Sequence, residues 1–472
     1  MQKVIYMNIV MFLALIQICA ANVVEVKIDA SVNIGKIRAL NGGNLGPSLH
    51  AEAGGQKNNE EFAALNIPIT RLHDVCLSEP GLKIVDTDFI FPLLHADEND
   101  PQNYCFAPTD DYIKNTIDAG TQIFFRLGVS IDHSLRKYRT AMPPDAEKWA
   151  RICIKIIEHY NEGWANGFHF NIVYWEIWNE PDLRNNKNWA GSLDEYNEFY
   201  ATVSKIIKKR FPNIKIGGPA HTGIRAKNAV PFLKKCLERN APLDFFSWHC
   251  YRGNIKEYVN SIDSVEEYVN SVNKAAKIVS ENGFPKAELH LNEWHFFNQK
   301  WSDIHNKNAD RRSLYAKING IEAGVVACST LIAWQDTPLT CGYYYLTGGS
   351  DRWGLFDDFS NPQKSYYGFK AFGEITKYSD RLKAESNTRG VYALSGKNAS
   401  GEIAVLVSAL NLRKGSQLHI VIDGISQARL SKAQVLIYDD YLNLETCKSA
   451  KINGNTITLL GASEFLCILI KF

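Results

Sequence analysis

The sequence predicts an α/β protein: a closed (β/α)8 TIM barrel with a small C-terminal antiparallel β-sandwich domain. Eight short runs rich in β-branched and aromatic residues alternate with longer amphipathic segments, the pattern of βα units that feed a parallel sheet. No glycine-rich phosphate loop of the GxGxxG or GxxxxGK type follows these runs, which disfavours an open doubly wound sheet. Beyond about Ser379 apolar and polar residues alternate as in β-strands, without helical segments between them, which indicates a second, smaller β domain.

Each predicted barrel strand is a short, mostly apolar run that ends in polar residues. In chain order the runs are Ala39–Gly43, Ile67–Leu72, Gln122–Leu127, Val173–Trp178, Ile214–Gly218, Phe245–His249, Glu288–Asn292 and Thr330–Trp334. The intervening segments repeat apolar residues at helical spacing, most clearly after Asp145 and after Ser192. Eight strands, each followed by a helix, make up a closed barrel.

The C-terminal β domain is predicted from alternating segments separated by turn signals such as Asn453-Gly454-Asn455. These segments are 401–409, 416–422, 433–438, 451–459 and 465–472. Val23–Val32 also alternates, so we expect the N-terminus to return and complete the sandwich. The predicted organisation is therefore a signal peptide at 1–21, N-terminal strands at 22–38, the barrel at 39–380 and the β-sandwich at 381–472.

Composition narrows the possible functions. Of the 472 residues 45% are hydrophobic and 22% charged, which is typical of a globular protein. Lys+Arg 52 against Asp+Glu 51 leaves a net charge of +1 without a long run of one sign, so we expect no nucleic-acid partner. The absence of a phosphate-binding loop agrees with the expectation of no cofactor.

The first 21 residues have the order of a secretory signal. Lys3 precedes the apolar stretch Ile9–Ile18, and small residues follow at Cys19-Ala20-Ala21. The stretch is too short to stay as a membrane span, so we expect a secreted or periplasmic protein. Cys19 leaves a lipid-anchored form open, although Ile18 occupies a position where lipoprotein processing needs a small residue. The other nine cysteines are dispersed without a CxxC pair, and their pairing cannot be read.

Catalytic groups of such barrels lie at the C-terminal ends of the strands, and here those ends are polar. They carry Arg71-Leu72-His73-Asp74, Trp178-Asn179-Glu180-Pro181, Trp248-His249-Cys250-Tyr251, Leu291-Asn292-Glu293-Trp294 and Trp334-Gln335-Asp336. Glu180 and Glu293 end the fourth and seventh strands. Paired carboxyl groups suit glycoside hydrolysis, because one must be protonated and the other anionic. Glu176 lies deeper on the side of Glu180, where we expect a structural ion pair.

The segment Trp175-Glu176-Ile177-Trp178-Asn179-Glu180-Pro181, together with Glu293 at the end of the seventh strand, resembles the retaining barrel glycosidases. Arg71-Leu72-His73, His249-Cys250-Tyr251 and the trailing β domain resemble most closely glycoside hydrolase family 39, the family of β-xylosidases and α-L-iduronidases. The resemblance covers essentially the whole mature chain. It implies that Glu180 is the acid/base, Glu293 the nucleophile and Asn179 the partner of the sugar 2-hydroxyl. It also places five residues around the terminal sugar: Arg71, His73, His249, Tyr251 and Trp334.

Two alternatives bear on this interpretation. A zinc protease is disfavoured because the helical HExxH spacing is missing around His290, Glu293 and His295, so we expect no metal. A catalytically silent carbohydrate-binding barrel would tolerate loss of a carboxylate, whereas both are present. We therefore expect an enzyme acting on a carbohydrate substrate. The sugar, the linkage, exo or endo action and the oligomeric state stay open, with another pentose or a uronic acid among the candidates.

Overall fold

The structure is a computed structural model that describes residues 23–48, 57–76, 83–183, 187–251, 260–297, 316–348 and 353–472. The predicted signal peptide at 1–21, with Cys19, lies outside the described residues. The chain divides into two compact units. One is Arg38–Thr376, and the other combines Met1–Ile37, of which the described part begins at Val23, with Lys377–Phe472.

The described strands, in chain order, are β1 (Val23–Lys36), β2 (Asn41–Asn44), β3 (Ile69–Leu72), β4 (Gln122–Leu127), β5 (Tyr174–Ile177), β6 (Lys215–His221), β7 (Phe245–Tyr251), β8 (Glu288–His295), β9 (Cys341–Tyr344), β10 (Asp380–Ser386), β11 (Val391–Lys397), β12 (Ile403–Ala409), β13 (Ser416–Asp423), β14 (Gln434–Tyr438), β15 (Asn443–Thr446), β16 (Lys451–Asn453), β17 (Thr456–Ala462) and β18 (Leu466–Lys471). The described α-helices are α1 (Asn59–Ala63), α2 (Thr87–Ile90), α3 (Ala107–Asp118), α4 (Ala146–Glu162), α5 (Leu193–Arg210), α6 (Ala226–Glu238), α7 (Ser261–Glu281), α8 (Ile321–Ala333), α9 (Lys364–Ile375) and α10 (Gln427–Leu430).

Strands β2 to β9 of the described chain close into a parallel barrel in sequence order, which confirms the predicted fold class. Local sequence sets the helix starts: the Asp145 side chain caps α4, and Ser192 forms a capping box with Glu195 at the start of α5. The strand register brings Arg126 beside Glu176 and His249 beside Glu293. Because parallel strands of a barrel end at the same rim, the polar strand ends are gathered at one mouth.

The eighth strand was predicted in the wrong place. Residues Thr330–Trp334 form the end of α8 and the start of a 3-10 turn at Trp334–Asp336, and the eighth strand is β9, Cys341–Tyr344. Ten of the thirteen residues of α8 are buried, so the helix is apolar on nearly every side. An apolar run without helical periodicity cannot be distinguished from a buried strand.

The second unit contains the remaining ten described strands in one sheet, ordered β15-β14-β18-β12-β11-β10-β1-β13-β17-β16. The pairing is antiparallel except between β1 and β13, which are parallel. Side chains from both halves of this order share one apolar core, for example Val26, Val405 and Ile468, so the sheet curls around it. The predicted strand at 451–459 is two strands, because Gly454 turns the chain with φ 60°.

By length and composition, one helical stretch in the described part of the chain, Ala316–Asp336, could cross a membrane. In the most apolar 18-residue part of this stretch, 67% is buried within the protein. That is expected of a helix packed against a barrel, because such a helix is covered on most sides.

Candidate active site

The two predicted catalytic glutamates meet at the barrel mouth. One carboxylate oxygen of Glu180, one of Glu293 and a ring nitrogen of His249 all lie within 4.8 Å of one another. Both glutamates are nearly buried, with 7% of Glu180 and 5% of Glu293 exposed. Residues separated by more than a hundred positions along the chain thus form one compact cluster.

The backbone before Glu180 takes an unusual path. Trp178 and Glu180 have positive φ values of 73° and 45°, which residues other than glycine rarely adopt. Two hydrogen bonds hold this path: the Trp178 N–H donates to the Leu127 carbonyl at 2.6 Å, and the Glu180 N–H donates to the Ala220 carbonyl at 3.0 Å. Such strained backbone persists where the surroundings fix it and is common at active sites.

Glu293 is surrounded by donors. Arg71 Nη1 donates to Oε1 at 2.8 Å, and the Tyr251 hydroxyl donates to Oε2 at 2.7 Å. His249 Nδ1 lies 3.2 Å from Oε2, and His73 Nε2 lies 3.5 Å from Oε1. Burial raises the pKa of Glu293, while His249, Arg71 and Tyr251 oppose that rise by favouring the carboxylate.

Glu180 has a different environment, since its hydrogen-bond partner is a histidine. Its Oε1 lies 2.7 Å from His249 Nδ1. Burial, followed by the negative charge of Asp182, raises the pKa of Glu180 to about 8. Burial also lowers the pKa of His249 to about 4, so the imidazole is neutral at pH 7. Glu180 therefore carries a proton at neutral pH, which suits a general acid.

Asn179 and His249 each present an unused polar atom. Asn179 Oδ1 accepts a hydrogen bond from Arg71 Nη2 at 2.7 Å, which fixes the orientation of the amide. Asn179 Nδ2 and His249 Nε2 are buried and have no hydrogen-bond partner among the described residues. Buried polar atoms are normally paired, so these two are available to the hydroxyl groups of a ligand.

His73 is held neutral beside Glu293. Its Nδ1 accepts a hydrogen bond from Arg126 Nε at 3.2 Å, which leaves the ring proton on Nε2, facing Asp74 Oδ2 at 3.3 Å and Glu293. Burial and then the positive charges of Arg71 and Arg126 hold the pKa of His73 well below its usual range. The structure thus brings His73 to the cluster as a neutral donor.

The structure does not bring Trp334 to this cluster, so its predicted role as a stacking surface for the sugar is corrected. Its side chain is fully buried, and its ring packs against the rings of Trp294 and Tyr268 and closely approaches Gly342. Trp334 follows α8, so it packs between a helix and the barrel strands and leaves no face open for a sugar.

Comparison with known proteins identifies the group to which the chain is related. The model of glycosyl hydrolases family 39 matches residues 70–338, more than half of the chain. The chain belongs to glycosyl hydrolase family 39. Two curated relatives are similar to it: a β-xylosidase of Caldicellulosiruptor saccharolyticus, 24% identical over 61% of this chain and 59% of the relative, and one of Geobacillus stearothermophilus, 27% identical over 34% of this chain and 33% of the relative. In both cases the match spans less than two thirds of the relative's length.

Solved structures share the architecture of this family 39 chain. A glucosidase from Croceicoccus marinus has a TM-score of 0.73 at 19% identity, covering 96% of this chain and 99% of its own. A β-xylosidase from Caulobacter crescentus has a TM-score of 0.67 at 14% identity, covering 96% and 99%. At these identities the similarity establishes the fold, a β/α barrel with a mostly antiparallel β domain.

Sequence reasoning missed one part of this family 39 site. Arg126 is the next-to-last residue of β4, and its side chain joins His73 to the buried Asp86 and Ser130. Arg126 Nη1 is buried without a partner among the described residues. The signal was present in Gln122–Leu127, because an arginine at the end of an otherwise apolar barrel strand points to a buried polar contact.

The same cluster contains potential metal ligands, since Glu180, His249 and Glu293 are the one group of such residues that comes together in the described part of the chain. The Arg71 guanidinium would repel a cation there, because it lies 2.8 Å from Glu293. Tyr251 already donates to the same carboxylate. The cluster therefore fits a proton donor and a nucleophile better than a metal centre, and the expectation of no metal stays a prediction.

Proposed function

We propose that this family 39 protein is a secreted, retaining glycoside hydrolase that removes a terminal pentose or uronic acid residue from a glycan, as a β-xylosidase does. The observation that carries the proposal is the approach of Glu180 and Glu293 to within 4.8 Å. Retaining enzymes hold their carboxyl groups about 5 to 5.5 Å apart, whereas inverting enzymes leave about 6.5 to 9.5 Å for a water molecule. The spacing supports the covalent route.

In the first step the glycosidic C–O bond breaks. Glu180 transfers its proton to the leaving oxygen, and a Glu293 oxygen forms a bond to the anomeric carbon. The different environments of the two carboxyl groups support these roles, because Glu180 is protonated at pH 7 whereas Arg71 and Tyr251 stabilise the anion of Glu293.

In the second step water displaces the Glu293 carboxylate from the sugar. Glu180, now a carboxylate, accepts a proton from water while the water oxygen attacks the anomeric carbon and the bond to Glu293 breaks. Both glutamates return to their starting forms. The unpaired Nδ2 of Asn179 lies in the same cluster, available to a sugar hydroxyl throughout.

The kind of sugar that we propose as substrate is inferred from the two curated relatives. Both curated relatives are named β-xylosidases, which favours a pentose without an exocyclic carbon. A panel of aryl glycosides of pentoses, hexoses and uronic acids tests this directly, and we expect the highest kcat/KM with the β-xyloside. A faster rate with a uronide would assign the substrate to the uronic acids instead.

The enzymatic role is tested with an activated 2-fluoro glycoside followed by intact mass and peptide mapping. We expect one label per chain, attached to Glu293, because the 2-fluoro group slows both steps whereas the activated leaving group speeds only the first. The Glu293→Gln variant is the matched control and should stay unlabelled. Sugar binding without labelling or turnover across the panel would support the silent carbohydrate-binding barrel and contradict the proposal.

Secretion rests on the order of residues in the first 21 positions. Expression of the full chain in a secreting host, with the N-terminus of the exported protein sequenced, should show a start just after Ala20 or Ala21. A fatty-acid mass on Cys19 would support the lipid-anchored form, and retention of the whole chain in the cytoplasm would contradict export.

A further inference from the structure

A buried carboxylate beneath the two glutamates has no part in the mechanism above. Glu176 lies on β5, four residues before Glu180, and its side chain is fully buried. Its Oε2 accepts a hydrogen bond from Arg71 Nε at 2.8 Å and forms an ion pair with Arg71 Nη2, which lies 2.7 Å away. Its Oε1 accepts hydrogen bonds from the Ser247 hydroxyl at 2.6 Å and from Asn292 Nδ2. Both oxygens therefore have hydrogen-bond donors, and neither faces solvent.

Glu176 fixes the guanidinium that contacts the nucleophile. Arg71 has five N–H groups, and their partners in the structure are Glu176, Glu293, Asn179 and Asn44. Four of these N–H groups donate hydrogen bonds, and Nη2 also forms an ion pair with Glu176, so the contacts favour one orientation of the guanidinium. That orientation places Nη1 against Glu293 and Nη2 against the Asn179 oxygen, so Glu176 also determines which way the free Asn179 amide points.

A second connection runs from Glu176 towards the acid/base. The Ser247 hydroxyl oxygen accepts a hydrogen bond from the Ala220 N–H at 2.9 Å, so its own proton is directed to Glu176. The Ala220 carbonyl in turn accepts the Glu180 N–H at 3.0 Å. Ala220 has a positive φ of 53°, a conformation that needs such support.

We propose that Glu176 is a positioning residue that holds both catalytic carboxyl groups, through Arg71 to Glu293 and through Ser247 and Ala220 to Glu180. This rests on the proposed function for the roles of the two glutamates. Glu176 also divides the positive charge of Arg71, because one guanidinium lies between two carboxylates at 2.7 and 2.8 Å.

Because Arg71 shares its positive charge between Glu176 and Glu293, the direction in which the pKa of Glu293 changes can be predicted for each substitution. When the negative charge of Glu176 is removed, the positive charge of Arg71 stabilises the carboxylate of Glu293 alone, so the pKa of Glu293 should fall. Removing the Ser247 hydroxyl leaves Glu176 more dependent on Arg71, so the pKa of Glu293 should rise slightly. The titratable groups that face Glu293 in the described structure are Arg71, His73, Glu180, His249 and Tyr251. Neither substitution replaces any of these groups, and Arg71 is the one among them that contacts Glu176.

The experiment compares Glu176→Gln and Ser247→Ala with Glu288→Gln, a matched control at the start of β8, at the opposite end of the barrel from the site. The Glu293 titration is followed by NMR of ¹³C-labelled glutamate carboxyl groups, with Glu293→Gln identifying its signal. We expect the Glu293 midpoint to fall by about one pH unit in Glu176→Gln, to rise by a few tenths in Ser247→Ala and to stay in Glu288→Gln. We expect kcat of Glu176→Gln to fall at least about tenfold with a smaller change in KM.

Glutamine can be accommodated at position 176, because Asn292 Oδ1 has no partner among the described residues and an amide flip would turn it towards the new N–H₂ group. If Glu176→Gln does not fold, Ser247→Ala still decides, since it removes one hydroxyl and no charge. Unchanged midpoints, or a loss of kcat without any change of the Glu293 midpoint, would overturn the proposal. The NMR titration needs no turnover, so an inactive wild-type protein would refute the proposed function and leave the positioning test valid.

Discussion

The two ends of the barrel each hold a glutamate in a polar cluster, yet their pKa values move in opposite directions. At the mouth, burial raises the pKa of Glu180 to about 8. At the other end burial acts on Glu288 in the same sense, but hydrogen bonds from His290 and Lys215 outweigh it and lower the pKa to about 2. Burial therefore does not determine the protonation state of a carboxyl group by itself, because hydrogen-bonding partners can outweigh it, as they do at Glu288.

The clusters also differ in what they leave unpaired. Glu288 accepts hydrogen bonds from Tyr174 and Lys215, and the ring of His290 contacts Glu288 and the Tyr343 hydroxyl. No side-chain polar atom of these described residues is buried without a partner, whereas the mouth leaves Asn179 Nδ2 and His249 Nε2 unpaired. A saturated cluster stabilises a fold, and an unsaturated one is prepared for a ligand.

The largest difference between the two ends of the barrel is expected when one glutamate is removed from each. We expect Glu293→Gln to reduce kcat/KM on an aryl glycoside by on the order of 10⁴-fold or more, because the nucleophile is lost. Glu288→Gln should stay within about threefold of the wild type, since distant sites act independently. Circular dichroism should show both variants folded. A rate near that of the wild type in Glu293→Gln would refute the assignment of the nucleophile.

The raised pKa of Glu180 predicts the upper limit of the pH profile. Glu180 must be protonated to act as an acid, so kcat/KM should fall as the pH rises through about 8. Glu293 must be ionised, so the rate should also fall on the acidic side, at a pH above the usual range for glutamate. In Glu180→Gln we expect a loss of about 10² to 10⁴-fold with poor leaving groups and no basic limb. A basic limb that survives would assign it to another group.

A smaller effect is expected at one of two tyrosines that each donate a hydrogen bond to a glutamate. Tyr251 donates to Glu293 at 2.7 Å, and Tyr174 donates to Glu288 at 3.0 Å. Tyr251→Phe removes a bond that favours the Glu293 anion, so the acidic limb should move to higher pH and kcat should fall about tenfold. Tyr174→Phe is the matched control and should change neither. An unmoved acidic limb in Tyr251→Phe would show that the hydroxyl does not influence the nucleophile.

The smallest effect concerns stability at the far end. The pKa of Glu288 is lower in the folded state, so its contribution is present above its ordinary pKa and is lost as the pH falls towards 2. Its side chain is 28% exposed, so we expect a contribution of only about 0.5 to 1 kcal/mol. Urea unfolding at pH 6 and pH 3 should show a smaller loss for Glu288→Gln than for the wild type. Equal losses would contradict the prediction.

The sequence predicted the fold class and the two glutamates because both depend on local signals. Glu180 and Glu293 each follow an apolar strand run, and parallel barrel strands bring their ends together whatever their separation along the chain. Seven of the predicted barrel strands overlap observed ones, whereas Thr330–Trp334 is helical. The error arose because α8 is apolar on nearly every side, and it carried Trp334 into the list of sugar contacts.

The hydrogen-bond network beneath the two glutamates could not be predicted from the sequence, for a different reason. The ion pair expected at Glu176 is present, with Arg71. The identity of its partners was not predicted, because Arg71, Ser247 and Asn292 lie on three other strands. Which side chains meet inside a barrel depends on strand tilt and register, for which a single sequence carries no local signal. The same holds for the contact between Arg126 and His73.

The position of β1 affects how the chain can be synthesised and divided. Val23–Lys36 pairs with β10 and β13, strands that follow it only after the whole barrel has been made. An emerging β1 therefore has open edges until the last fifth of the polypeptide is available, and unpaired edges invite aggregation. A version cut after the barrel would leave this strand without neighbours, so any dissection of the two units has to remove residues from both termini.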